Sequence, residues 1–174
     1  VRVTYFPGAV PEDEPSYAVS PGYSAPGAEI REYDEAGVHV VETSLLRIRI
    51  HTEEQKVDFY DVATDEPLLT DEGGFGRESK DWTGDARVWI RKNLQETEHF
   101  FGLGDKPCAL NLRGKYFSMW GADHYDFHEE SDPLYKSIPF FLSLRERKAY
   151  GLLFDNTCRS YFDFGATDEK VLSF

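Results

Sequence analysis

The stretch that decides the fold of this chain is Ile138-Pro-Phe-Phe-Leu-Ser-Leu144, followed closely by Tyr150-Gly-Leu-Leu-Phe154 and Ser160-Tyr-Phe-Asp-Phe164. Each segment is short and rich in aromatic and aliphatic side chains, a composition that is enriched in β-strands. Pro139 stands at the start of its segment, where a missing backbone donor is tolerated. The three segments therefore predict consecutive strands of an antiparallel sheet.

The β pattern continues toward the N-terminus. Four further segments alternate apolar and polar residues: Val38–Thr43, Leu46–Ile50, Lys56–Asp61 and Arg87–Arg91. Such alternation is typical of strands with one wet face, and the turn signals between them favour a sandwich over βαβ units. Only Leu94–Phe100 has modest helical potential, and it is too short to form a helix alone. We predict a mainly β fold with little helix, a single antiparallel β-sandwich over residues 1–174.

The glycine-rich segment Glu72-Gly-Gly-Phe-Gly-Arg77 has neither the full GxGxxG spacing nor the Lys-Ser/Thr pair of a phosphate-binding loop. No strand–loop–helix pattern surrounds it. We predict a glycine-rich hairpin loop here, without a binding function.

Charge and composition exclude several partners. The chain carries a net charge of −13, which argues against nucleic acid and against an anionic membrane surface. No apolar run approaches the roughly 18 residues of a membrane span, and no signal peptide is visible. Because the chain begins with Val1 rather than Met, we expect a trimmed N-terminus. A soluble cytoplasmic protein and an exported one both stay open.

Cysteine and histidine spacing gives no metal or cofactor signal. Cys108 and Cys158 fall in no CxxC pattern, so free thiols are expected, with a single disulfide as the alternative. His124 and His128 stand four residues apart among carboxylates, but the order is not HExxH and the flanking residues favour a loop. We expect no metal and no cofactor.

Six ordered blocks between Phe100 and Phe164 resemble one known family, glycoside hydrolase family 31, whose members include α-glucosidases. The blocks are Phe101-Gly-Leu-Gly-Asp-Lys106, Leu112-Arg-Gly-Lys115, Trp120-Gly-Ala-Asp123, Asp132-Pro-Leu-Tyr-Lys-Ser-Ile-Pro-Phe-Phe141, Tyr150-Gly-Leu-Leu-Phe-Asp-Asn156 and Ser160-Tyr-Phe-Asp-Phe-Gly165. The residues before about position 90 match the family only as a β pattern.

This resemblance implies a galactose-mutarotase-like supersandwich, the N-terminal domain of a larger retaining α-glycosidase, packed beside a (β/α)8 catalytic barrel. In such enzymes two carboxylates of the barrel carry the chemistry. The family's W-x-D-M-N-E motif occurs nowhere in this sequence. We therefore expect no catalytic residue and no barrel in this chain. The implied partners are the missing barrel and an α-linked oligosaccharide or glycoside.

The resemblance also implies substrate-binding residues in the loop after Trp120. By position in the family's W-N-x-D block, Asp123 is the candidate acceptor for a sugar hydroxyl, with His124 and Trp120 beside it. Gly121 departs from the pattern, where the family often has Asn. Asp123 could instead close an Asx-turn, and Trp120 could be a core residue rather than a sugar platform.

Two other functions remain open from the sequence. A galactose-mutarotase-like sandwich can be a free sugar epimerase, which needs a general acid and base, usually a His and a Glu. The domain could also be a stand-alone carbohydrate-binding module that uses Trp82, Trp89 or Trp120 as a platform.

Overall fold

The computed structural model describes residues 1–5, 16, 18–20, 22–23, 27, 29–78 and 86–174. These ranges contain thirteen strands and no helix, which confirms the mainly β prediction. No helix in these ranges could therefore cross a membrane. The strands are β1 Arg31–Glu35, β2 Val38–Glu42, β3 Leu46–His51, β4 Lys56–Asp61, β5 Pro67–Leu69, β6 Asp71–Glu78, β7 Arg87–Asn93, β8 His99–Gly104, β9 Tyr116–Met119, β10 Ser137–Arg145, β11 Lys148–Leu153, β12 Ser160–Phe164 and β13 Val171–Ser173.

The strands form three antiparallel sheets. The first sheet runs β1 to β5 in chain order, the second has the order β11-β10-β8, and the third has the order β6-β7-β13-β12-β9. The second and third sheets face each other and enclose the main core. The first sheet adjoins them through β4 and β6.

Aromatic side chains form the centre of the core between the second and third sheets. The Phe141 ring contacts Phe100, Phe162 and Phe164 edge-on, with ring centres 5.6, 6.1 and 5.3 Å apart. All four rings are fully buried, and edge-to-face pairs are favourable beyond the area they bury. The remaining buried members of the cluster are Leu94, Leu103, Leu112, Phe117, Met119 and Leu172.

A buried ion pair of the third sheet is hydrogen-bonded to the first sheet. Asp71 accepts a hydrogen bond from the Val57 backbone N–H at 2.6 Å, and the Lys92 ammonium contacts Asp71 and donates to the Val57 carbonyl at 3.1 Å. Burial raises the pKa of the Asp71 carboxyl, and Lys92 opposes that shift. Because each of the two charges has an opposite charge and a hydrogen bond to Val57, the pair can be buried between the sheets.

The prediction of a hairpin loop at Glu72–Arg77 is wrong, because these residues belong to β6. Gly76 pairs with Trp89 of β7, and a Cβ atom at Gly76 would lie 2.0 Å from the Trp89 ring. The glycine thus makes room for a large cross-strand neighbour. The helical potential of Leu94–Phe100 is also not realised, since β8 begins at His99 and buries Phe100. Tertiary packing overrides local propensity here.

The Gly-Leu-Gly segment of β8 needs its two glycines because the backbone of residues 136–141 passes very close to them. A Cβ atom at Gly102 would lie 2.5 Å from the Phe140 carbonyl oxygen, and one at Gly104 would lie 2.6 Å from the Lys136 carbonyl oxygen. Both glycines also have positive φ angles, 133° and 86°, a region that side chains disfavour. This family-like segment is therefore a structural requirement of the sheet.

Candidate functional site

The candidate loop spans residues 120–136, between β9 and β10, and its base is fixed by a charged contact. The Lys106 ammonium, which is 4% exposed, contacts the Asp132 carboxylate and donates to the Ser118 carbonyl oxygen at 3.0 Å. The other Asp132 oxygen accepts the Ser118 backbone N–H. Two of the family-like blocks thus meet in one hydrogen-bonded contact that joins the loop to β9.

Further contacts hold the two arms of the loop together. The Ala122 N–H donates to the Leu134 carbonyl oxygen at 3.0 Å, and the Tyr135 hydroxyl donates to the His124 carbonyl oxygen. The Phe127 ring meets Tyr135 edge-on with ring centres 6.5 Å apart. Because these contacts cross the loop, its backbone conformation is fixed on both sides of residue 123.

Asp123 lies at the exposed part of this fixed loop. Its carboxylate makes no hydrogen bond or ion pair with any residue of the loop or of the rest of 86–174, so no Asx-turn forms. His124 follows it and is half-buried. The structure therefore presents a carboxylate whose acceptor positions are open to solvent on a well-anchored backbone.

Trp120 stands at the root of the loop and is not a core residue. Its side chain is 48% exposed, and the Arg159 guanidinium lies 5.9 Å from its ring centre, a cation–π contact. Trp120 also lines a shallow depression of about 290 Å³ at the end of the sandwich, together with Pro139, Asn156 and Cys158. The structure thus brings Trp120 and Asp123 to the same end of the fold, on one loop.

Within the described ranges, the His, Cys, Asp and Glu side chains form no metal site, and neither cysteine is activated. No group of three or more His, Cys, Asp or Glu side chains there is placed to hold a metal ion. The His128 ring contacts its neighbour's carbonyl oxygen at 2.7 Å. Cys108 and Cys158 are both free thiols, and burial raises the pKa of the Cys108 thiol, which disfavours the reactive thiolate.

Arg113 has a structural function that its sequence context does not suggest. Its guanidinium donates to the carbonyl oxygens of Gln95 at 2.5 Å, Glu98 at 3.1 Å and Glu169 at 3.4 Å. One side chain thus cross-links two loops that are distant in the chain.

Glu98 is a buried carboxylate that sequence reasoning did not find. It is 2% exposed and accepts hydrogen bonds from the Ser143 hydroxyl at 2.5 Å and the Tyr150 hydroxyl at 2.7 Å. Burial and the Glu98 charge raise the pKa of Tyr150. Since the group is enclosed and its oxygens are occupied, it fits a structural polar network.

By its fold, the chain is an antiparallel β-sandwich domain, and it displays an exposed polar loop between β9 and β10. The family model described as glycosyl hydrolase 31 N-terminal galactose mutarotase-like domain matches residues 1–163. The chain belongs to this family, which confirms the sequence-based assignment.

Two curated relatives are α-glucosidases. The chain is 41% identical over 100 residues to α-glucosidase 2 of Bacillus thermoamyloliquefaciens, a match that covers 56% of this chain and 13% of the relative. It is 34% identical over 87 residues to the α-glucosidase of Saccharolobus solfataricus, covering 49% of this chain and 13% of that protein. Each match thus spans about an eighth of the relative's length.

Solved structures share the fold. A mutant of a family 31 dextranase of Flavobacterium johnsoniae, in complex with isomaltotriose, superposes with a TM-score of 0.73 at 33% identity, over 83% of this chain and 17% of the dextranase. The family 31 α-xylosidase of Xanthomonas citri gives a TM-score of 0.63 at 20% identity, over 85% and 15% of the two chains. The second likeness concerns the fold alone. Together they confirm the galactose-mutarotase-like sandwich.

Proposed function

We propose that residues 1–174 form the non-catalytic N-terminal domain of a retaining α-glycosidase, which packs on a (β/α)8 catalytic barrel and supplies the Asp123 loop to the substrate site. Family membership and two α-glucosidase relatives support an α-glycosidase as the parent protein. In the retaining mechanism two carboxylates flank the cleaved bond. We assign neither of them to this chain.

The observation that carries the proposal is the anchored loop with its open carboxylate. Lys106, Asp132 and Tyr135 fix the backbone on both sides of Asp123, while the Asp123 oxygens have no partner within residues 86–174. An ionised carboxylate accepts short, charge-assisted hydrogen bonds from hydroxyl groups. A loop that is already ordered also loses less conformational entropy when a sugar binds.

His124 and Trp120 complete the proposed sugar contact. His124 adjoins Asp123 and is half-buried, so its ring adds a polar group of limited mobility. Trp120 offers an exposed aromatic face at the root of the loop, partly covered by Arg159. Asp123 is the residue on which the proposal depends most, because among these three residues it alone is an exposed carboxylate.

Replacing Asp123 by Ala in the full-length parent enzyme tests this proposal. We expect kcat/KM on an α-linked disaccharide to fall by the equivalent of about 1–3 kcal/mol, as for a lost hydrogen bond to a charged group. Asp126→Ala is the matched control, because Asp126 is an exposed carboxylate of the same loop. Unchanged kinetics for Asp123→Ala would remove this residue from the substrate site.

Simple assays separate the two other functions. An epimerase would accelerate the exchange of glucose anomers, and a binding module would bind maltooligosaccharides as an isolated domain. Glu98 is hydrogen-bonded to Ser143 and Tyr150 rather than to a histidine, which does not support an epimerase. Of the platforms of a binding module, Trp89 covers Gly76 and Trp82 lies outside the described residues, which leaves the exposed Trp120.

A further inference from the structure

The second sheet exposes an apolar face on the side opposite the core. Along β10, exposed side chains alternate with buried or half-buried ones. We call the exposed set, with its neighbour on β11, the outer face: Ile138 (49% exposed), Phe140 (41%), Leu142 (41%), Leu144 (39%) and Leu153 (45%).

β10 carries apolar residues on both faces, because Phe141 points into the core while Leu142 and Leu144 point away from it. Ser143 points inward, is 1% exposed and donates its hydroxyl to the buried Glu98 carboxylate. Its neighbours Leu142 and Leu144 point outward. Antiparallel strands exposed to water on one side carry polar residues there, whereas strands that are apolar on both faces belong to sheets that are covered on both.

The strands beside β10 extend this face without adding a charge. Leu142 lies opposite Gly151 of β11 and Phe101 of β8. The Phe140 ring lies over Gly151, where a Cβ atom would come within 2.8 Å of it.

The next cross-strand position has the same character, since Leu144 lies opposite Ala149 and His99. Three strands thus build one continuous surface without Asp, Glu, Lys or Arg, in a chain whose net charge is −13. Uncharged apolar patches of this kind mark sites of association.

We propose that the outer face is the surface on which the catalytic domain of the parent polypeptide docks. This inference rests on the proposed function and adds the location of the contact. The matches span only 13% of each α-glucosidase relative, so the parent has ample chain to cover the face. The Asp123 loop continues directly into β10 at Ser137. Ile138 and Phe140 are thus the outer-face residues nearest to this loop in the chain.

Thiol labelling of the full-length parent enzyme tests the docking surface. Single Leu142→Cys and Leu144→Cys variants are prepared in a background with Cys108→Ser and Cys158→Ser, and labelled peptides are identified by mass spectrometry after treatment with a maleimide. Leu45→Cys is the exposed control, because Leu45 is an apolar residue that is 75% exposed in the β2–β3 turn. We expect both outer-face thiols to react at least about tenfold more slowly than the control under native conditions, and equally fast in urea.

Two results would overturn the proposal. Native labelling of Leu142→Cys at the control rate would show that the face stays in water. Protection that disappears on dilution would identify a second copy of the enzyme as the occupant. If Leu142→Cys fails to fold, Leu153→Cys on β11 reports on the same surface. Protection combined with unchanged kinetics of Asp123→Ala would support the docking surface and reject the substrate role of the loop, so the two proposals fail separately.

Discussion

Two regions of the molecule are stabilised in different ways. In residues 29–78 the buried apolar side chains are few, and ion pairs line the first sheet, such as Arg47 with Glu42 at 2.8 Å and with Asp65. In residues 86–174 fully buried phenylalanines such as Phe141 and Phe162 pack against one another. Aromatic packing thus stabilises the sandwich of the second and third sheets, whereas the first sheet depends on a few buried aliphatic side chains and on its strand pairing.

This contrast predicts where stability resides. Exposed ion pairs contribute little because water and salt screen them, whereas each buried aromatic side chain removes a large apolar area from water. The two regions meet at the buried Asp71–Lys92 pair and at a surface contact in which Lys148 of β11 binds Glu66 and Thr64. Substitutions in each region, and at the contact between them, measure how much each contributes to stability.

The largest expected effect is that of Phe141→Ala. Removing a fully buried ring that contacts three other phenylalanines leaves a cavity, and we expect the free energy of unfolding to fall by about 3–5 kcal/mol. Val40→Ala, at the fully buried centre of β2, should cost about 1–3 kcal/mol. Urea unfolding of both variants measures the difference. Equal losses would contradict the contrast between the regions.

The next effect concerns the base of the Asp123 loop. Lys106→Met keeps the aliphatic stem but leaves the Asp132 carboxylate without its cation, which we expect to lower the free energy of unfolding by about 1–3 kcal/mol. Lys136→Met is the matched control, because its ion pair with Asp105 is 3.4 Å long and exposed, with an expected effect of about 0–1 kcal/mol. Thermal or urea unfolding measures both variants, and similar losses would show that the Lys106 contact is unimportant for the loop.

The smallest expected effect on stability is that of the surface contact between Lys148 and Glu66, and this effect depends on pH. The hydrogen bond and charge of Lys148 lower the pKa of Glu66. A lowered pKa in the folded state means that the contribution to stability is present above the ordinary carboxyl pKa and is lost as the pH falls through the lowered value. Glu66→Gln should therefore be less stable than the wild type near neutral pH, with the difference shrinking in acid and at high salt. A difference in stability that grows in acid would contradict a stabilising role for the ionised Glu66 carboxylate.

The sequence predicts the strands that alternate and the aromatic strands around Phe141, because period-two patterning and aromatic content are local signals. It does not predict β6, in which Gly76 leaves room for the Trp89 ring and Gly74 lies against the Glu54 carbonyl oxygen. Nor does it predict the Glu98 network, since Ser143 and Tyr150 are 45 and 52 residues away in the chain. Contacts of this separation become visible only in three dimensions.

For the candidate site, the sequence contributes the identity of Asp123 and the structure contributes its setting. The resemblance to the family singles out this residue by position, but the anchoring by Lys106 and Asp132 joins residues 26 positions apart. Trp120 is likewise exposed because it lies just after the end of β9, outside the packed sheets. Residue type and order identify the candidate, and tertiary contacts explain why its backbone is fixed.

The most direct test of the central claim pairs a change in the protein with a change in the substrate. The wild-type parent enzyme and its Asp123→Ala variant are each assayed on an α-linked disaccharide and on its monodeoxy analogues. If the Asp123 carboxylate accepts a hydrogen bond from a sugar hydroxyl, one deoxy analogue should show losses of kcat/KM that are non-additive by about 1–3 kcal/mol. Additive losses for every analogue would contradict the claim that this domain contributes Asp123 to the substrate site.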